Sequence, residues 1–127
     1  FINVGIIPGD GGAWILPRRV GMQRAAELTF TGRIVEGPEA AEIGLALECV
    51  EPDQLMVRAL ELAESIAARP PITARMLKTL FRQSQNSHLS DFLDNCASIQ
   101  AICHSTEDHL EAVSSILEKR APTYKGQ

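Results

Sequence analysis

Phe1-Ile2-Asn3-Val4-Gly5-Ile6-Ile7-Pro8-Gly9-Asp10-Gly11-Gly12-Ala13-Trp14-Ile15-Leu16-Pro17-Arg18 opens the chain, and its reading decides the fold. Phe1 to Ile7 is a β-rich apolar run. Pro8-Gly9-Asp10-Gly11-Gly12 then punctuates it as a turn. Glycines at such a junction let the backbone come close to another group, and the amides of the helix that follows point back at whatever lies there. A short helix is expected from Gly12 to Arg19, with Pro17 near its end. The run begins at Phe1 with no partner for an opening strand. The chain therefore reads as the C-terminal part of something longer.

Working outward, Gly21 separates a second helix, Met22 to Phe30, and Thr31-Gly32-Arg33 is a turn before a short extended piece at Ile34-Val35. Pro38 suits the first position of a short helix that stops at Gly44, and Leu45 to Val50 reads as a strand. Pro52-Asp53 is placed as the cap of a long helix, Asp53 to Ala68, with Leu55, Met56, Ala59, Leu60, Leu62, Ala63, Ile66 and Ala67 at helical spacing. Pro70-Pro71 breaks it. Helices follow to about Gln85, from Leu89 or Ser90 to Cys103, and from a capping box at Ser105 to Asp108 as far as Ala121-Pro122. The chain divides into residues 1–50, holding the turn and the β content, and residues 51–127, all helical. Those later helices carry more apolar surface than a small bundle hides, which points to association.

Composition excludes several function classes. A net charge of −4 with scattered basic residues gives no support to nucleic-acid binding. No apolar run approaches the ~20 residues that cross a bilayer, so no membrane role is expected. Cys49, Cys96 and Cys103 form neither a disulfide framework nor a zinc pattern and read as reduced, packed thiols. That places the chain in a reducing compartment, the cytoplasm or an organellar matrix. His88, His104 and His109 lack ligand spacing, so no metal site is expected.

Four motifs in register carry a resemblance. Gly5 to Gly21 follows G-x-x-P-x-x-G-G-x-x-x-L-P-R-x-x-G. Ala26-Glu27-Leu28 with Thr31-Gly32-Arg33 approximates a second motif, and Pro38-Glu39-Ala40-Ala41-Glu42-Ile43-Gly44-Leu45 a third. The ending, Ile116-Leu117-Glu118-Lys119-Arg120-Ala121-Pro122-Thr123-Tyr124-Lys125-Gly126, is the fourth. Together they resemble the crotonase superfamily of enoyl-CoA hydratases and isomerases over essentially the whole chain. The resemblance implies an α/β crotonase-type fold, of which this segment is the mostly helical C-terminal part. It implies an acyl-CoA substrate whose thioester carbonyl sits in a hole of two backbone amides, with coenzyme A entering only as part of the substrate and no other cofactor. Both amides lie in the family's N-terminal half. The helices after residue 51 are implied to assemble a homo-oligomer, a trimer or a dimer of trimers.

Residue by residue, Phe1 occupies the position that hydratases fill with their second glutamate. The resemblance then points to Asp10 as the acid/base, the role some isomerases give an aspartate near this turn. The local reading of Asp10 is an N-cap or a surface turn residue. Phe1, Pro8, Gly9 and Trp14 are implied to line the acyl site, although a lone Trp on a short helix also suits plain packing. Ile116 matches an apolar position beside the adenine. Lys119 matches a cation that reaches the adenine and phosphate region of coenzyme A on a neighbouring subunit, and equally suits a helix C-terminus on its own. The other function class is a helical oligomerisation module with no chemistry of its own.

Overall fold

The computed structural model describes all 127 residues. It contains seven α-helices and no β-strand: α1 Gly12–Val20, α2 Met22–Thr31, α3 Gly37–Glu42, α4 Leu55–Ala67, α5 Pro71–Ser84, α6 Leu89–His104 and α7 Glu107–Glu118. Two short 3-10 turns, Ile2–Val4 and Pro52–Gln54, precede the first and fourth helices. The chain forms two compact units, Phe1–Leu55 and Met56–Gln127.

The β pieces expected near the N-terminus are absent. A strand needs a neighbour for its amides, and here the amides close locally. Val4 N–H donates to the Phe1 carbonyl at 3.0 Å, Gly5 N–H to Ile2 at 3.0 Å, and Ile6 N–H again to Phe1 at 3.2 Å. Gly5 ends the turn with φ 75°. The strand expected at Leu45 to Val50 is replaced in the same way: the Leu45 and Ala46 amides both donate to the Ala40 carbonyl at 2.9 Å and wrap the end of α3.

The turn before α1 follows from its glycines. Gly9 N–H donates to the Ile7 carbonyl at 2.9 Å, a three-residue reversal. Gly11 takes φ 97° and caps α1 with its carbonyl, which accepts from Trp14 and Ile15. A Cβ on Gly12 would lie 2.9 Å from the Pro8 Cβ, so only glycine lets the turn fold this tightly onto the helix start. In this unit α1 packs along α2, whose Ala25 and Leu28 are its two buried apolar side chains. Arg33 ties α2 to α3, its guanidinium 2.6 Å from both Glu27 and Glu39. The hydrogen bonds from Arg33 hold both carboxyls below their ordinary range.

In the second unit α5 packs on α6, and α6 on α7. The long helix begins later than expected. Pro52 opens a 3-10 turn whose cap is Glu51, with no side-chain hydrogen bond, and α4 proper starts at Leu55. Every residue from 51 to 69 is exposed, including Leu55, Met56, Leu60 and Ile66. The capping box is also shifted. Ser105 belongs to the end of α6, where its amide donates to Ile102, and the N-cap of α7 is Thr106, whose hydroxyl accepts from His109 N–H at 3.1 Å.

Asp108 does not cap. It is 2% exposed, and its carboxylate accepts from the Lys125 and Gly126 amides at 2.7 and 2.8 Å. Glu111, one turn on, accepts both terminal nitrogens of Arg120 and the Thr123 amide. The C-terminal tail is thus clasped to α7, with Gly126 set against Pro71 at the start of α5.

Two predictions follow from the clasp in the complete protein. Asp108→Ala leaves the Lys125 and Gly126 amides, both part-buried, without their acceptor and lowers the unfolding free energy by about 1–3 kcal/mol in a denaturant titration. Asp108→Asn, which keeps one acceptor oxygen, loses less. Arg120, then the Thr123 amide, hold the Glu111 carboxyl down at about 2 against its ordinary 4.5. Because the folded value is the lower one, this contribution is complete above about 4.5 and is lost as pH falls towards 2. Acid unfolding curves of Glu111→Gln will be flatter over that interval. Equal slopes for variant and parent overturn the assignment.

Candidate active site

One cavity in the first unit has the makings of a site. Its volume is about 360 Å³. Its floor is a single face of α1, since Gly12, Ile15, Leu16 and Arg19 recur at the i, i+3, i+4, i+7 spacing of a helical stripe. Phe1, Pro8, Asp10 and Leu45 complete the wall. The lining is mostly apolar. Its two charged groups are Asp10, at the N-terminal end of the helix, and Arg19, in the last turn.

The geometry at Asp10 comes from the turn. Its Oδ1 accepts the Gly12 amide at 3.1 Å, which orients the carboxylate at the mouth of α1. The capping residue proper is Gly11, so Asp10 sits one step before the cap and still takes up a first-turn amide. Its second oxygen has no partner. A carboxylate held by one oxygen and open at the other, beside an apolar wall, can accept a proton from a bound group and return it.

Of the residues singled out in the sequence, the cavity brings together Phe1, Pro8 and Asp10. Gly9 and Trp14 lie outside its lining. The Trp14 ring is covered by the Arg18 guanidinium, 3.6 Å from the ring centroid, and Arg18 also donates to the Trp14 carbonyl at 2.8 Å. Ile116 and Lys119 are in the second unit, at the end of α7. Ile116 is exposed. Lys119 closes the helix in the left-handed conformation, φ 54°, a position where glycine is the favoured residue.

Sequence reasoning missed Arg19, Ile15, Leu16 and Leu45. The first three were within reach, because their spacing with Gly12 is a helical stripe. Leu45 was not, since it arrives from 26 positions further along the chain than Arg19. No group of three His, Cys, Asp or Glu side chains is arranged to hold a metal ion. His104 and His109 instead stack ring on ring, centroids 4.7 Å apart. No helix is long and apolar enough to cross a membrane.

Comparison with known proteins gives the family. The model of the enoyl-CoA hydratase/isomerase family matches residues 1–127. Mouse mitochondrial methylglutaconyl-CoA hydratase is 36% identical over 98% of this chain and 41% of its own length. The short-chain-enoyl-CoA hydratase of Clostridium acetobutylicum is 34% identical over 94% of this chain and 46% of its own. Among solved structures, enoyl-CoA hydratase from Bacillus anthracis superposes with a TM-score of 0.94 at 37% identity, over 99% of this chain and 49% of that one. The chain thus spans about half the length of the relatives it matches, and those shares by themselves assign it to neither end of them. Motifs, backbone and family match agree, and the chain belongs to the enoyl-CoA hydratase/isomerase family.

Proposed function

We propose that this chain supplies the proton-handling wall of an acyl-CoA site, in an enzyme that hydrates or isomerises a 2-enoyl thioester through a stabilised enolate. The observation that carries the reading is the cavity at the start of α1, where Asp10 meets Phe1 and Pro8. The acyl chain lies along the apolar face of α1. Asp10 takes or returns the proton next to the thioester carbonyl with its unpartnered oxygen, while the Gly12 amide keeps the carboxylate in place. Phe1 contributes apolar wall where a second carboxylate would make the site a two-acid hydratase. Coenzyme A enters as part of the substrate. In the second unit, Lys119 offers a point charge to the phosphates of coenzyme A bound by a neighbouring subunit, and Ile116 an exposed apolar contact for its adenine.

The bare apolar side chains of α4 support self-association of the complete protein, as the trimer or dimer of trimers that the family resemblance implies.

Two experiments on the complete protein test the reading. Asp10→Asn keeps an oxygen for the Gly12 amide and removes the proton acceptor, so turnover of a 2-enoyl-CoA falls by about 100-fold or more. Unchanged turnover sinks the proposal for Asp10. Incubation in ¹⁸O-labelled water then separates label uptake by a hydratase from double-bond movement without uptake by an isomerase. Lys119→Gly preserves the left-handed helix end and removes the cation. KM for the CoA thioester rises by about tenfold, the equivalent of about 1.4 kcal/mol, whereas the pantetheine thioester, which lacks the distal phosphates, is unaffected. An equal rise with both substrates removes Lys119 from the phosphate contact.

A further inference from the structure

We propose that the α1 cavity selects acyl groups that end in a carboxylate, and that Arg19 is the residue that reads that end. The inference rests on the acyl-CoA reading above and adds to it the chemical class of the acyl chain.

The stripe of α1 that floors the cavity is glycine, then two apolar side chains, then a guanidinium. A site made only for a hydrocarbon tail has no use for a cation at the fourth position. Arg19 is also uncommitted. Arg18 is stacked on Trp14, and Arg33 and Arg120 are held by carboxylates, but Arg19 has no ion pair or side-chain hydrogen bond. Asp10, in the same cavity, is not its salt-bridge partner.

The spacing fits the task. Gly12, whose amide holds Asp10, and Arg19 are seven residues apart, a rise of about 10 Å along the helix. A short acyl chain with its thioester at the Asp10 end runs past Ile15 and Leu16, and its far terminus arrives at Arg19. There a carboxylate meets two parallel N–H donors, the bidentate pairing that a guanidinium offers and an ammonium does not. A terminal methyl brings the exposed guanidinium no acceptor and gains nothing from it. Repulsion between Asp10 and the distal carboxylate is small, because about two helical turns separate them and the Asp10 charge is shared with the first-turn amide.

The cation also sits in the last turn of α1, where any positive side chain complements the helix dipole. Arg19→Lys keeps that benefit and loses the fork, so it separates recognition from helix stability. The test measures kcat/KM of the complete protein on two 2-enoyl-CoA thioesters of equal carbon number, one ending in a carboxylate and one in a methyl group. The parent protein prefers the carboxylate-ended substrate. Arg19→Gln lowers kcat/KM for that substrate by about 10- to 100-fold and leaves the methyl-ended one within about threefold, with at most the small drop in melting temperature that the lost helix-end charge brings. Arg19→Lys lies between, and Arg19→Glu makes the methyl-ended substrate the better one. Equal losses on both substrates, or a parent that prefers the methyl end, overturn the role of Arg19 while leaving the acyl-CoA reading intact. A parent that turns over neither thioester overturns the enzymatic reading, and this inference with it.

Discussion

The close approach of Pro8 to Gly12 is the constraint on which the first unit depends. With no Cβ at residue 12 the turn folds back onto the helix it starts, and Gly11 at positive φ supplies the cap. The direction of α1 is then fixed, and so is the stripe it presents to the cavity. The same fold-back leaves Asp10 one residue ahead of the cap, where a first-turn amide holds it by one oxygen. A larger residue at position 12 would have to push Pro8 away. The helix start, the orientation of the carboxylate and this part of the cavity wall would move together, because residues 8 to 12 contribute to all three.

The second unit is organised by charge as well as by apolar packing. Its helices meet along the stripes of α5 and α6, while the only fully buried side chain is the carboxylate of Asp108. That group takes up two amides of the C-terminal tail, and Glu111 and Arg120 close the clasp from the solvent side. A buried carboxylate that takes up backbone amides is a directional fastener, whereas apolar contact fixes no register. The clasp thereby sets the path of the last eight residues and the left-handed bend at Lys119. It leaves α4 uncovered, with its apolar residues in solvent, in keeping with a chain that spans about half the length of its relatives.

Much of this was legible in the residues. The helices were placed within a few positions, since their apolar spacing, the prolines at helix starts and the glycines at their ends act over a few neighbours. The strands were misread for the opposite reason. Phe1 to Ile7 has the composition of a strand, but pairing is a long-range event, and without a neighbour the amides of Val4 and Gly5 fold back on Phe1 and Ile2. Asp108 was misread as part of a capping box because its true partners, the amides of Lys125 and Gly126, lie 17 and 18 residues away. Asp10 was singled out because of the family resemblance, and the structure sets it on the cavity wall, whereas Arg19 escaped notice as one of two adjacent arginines until the cavity separated it from Arg18.

What the sequence determined by itself was the family, the order of the helices and the glycine turn that starts α1. Each is written in residue types at short, fixed spacing, and local sterics and hydrogen bonding enforce them. What only the tertiary structure decided was which side chains share a space. Leu45 joins Arg19 and Phe1 on one cavity, Arg33 reaches carboxylates on two helices, and Asp108 finds the end of the chain. Such meetings depend on how helices lie against one another, and that arrangement is settled by packing and by the need to pair every buried polar group.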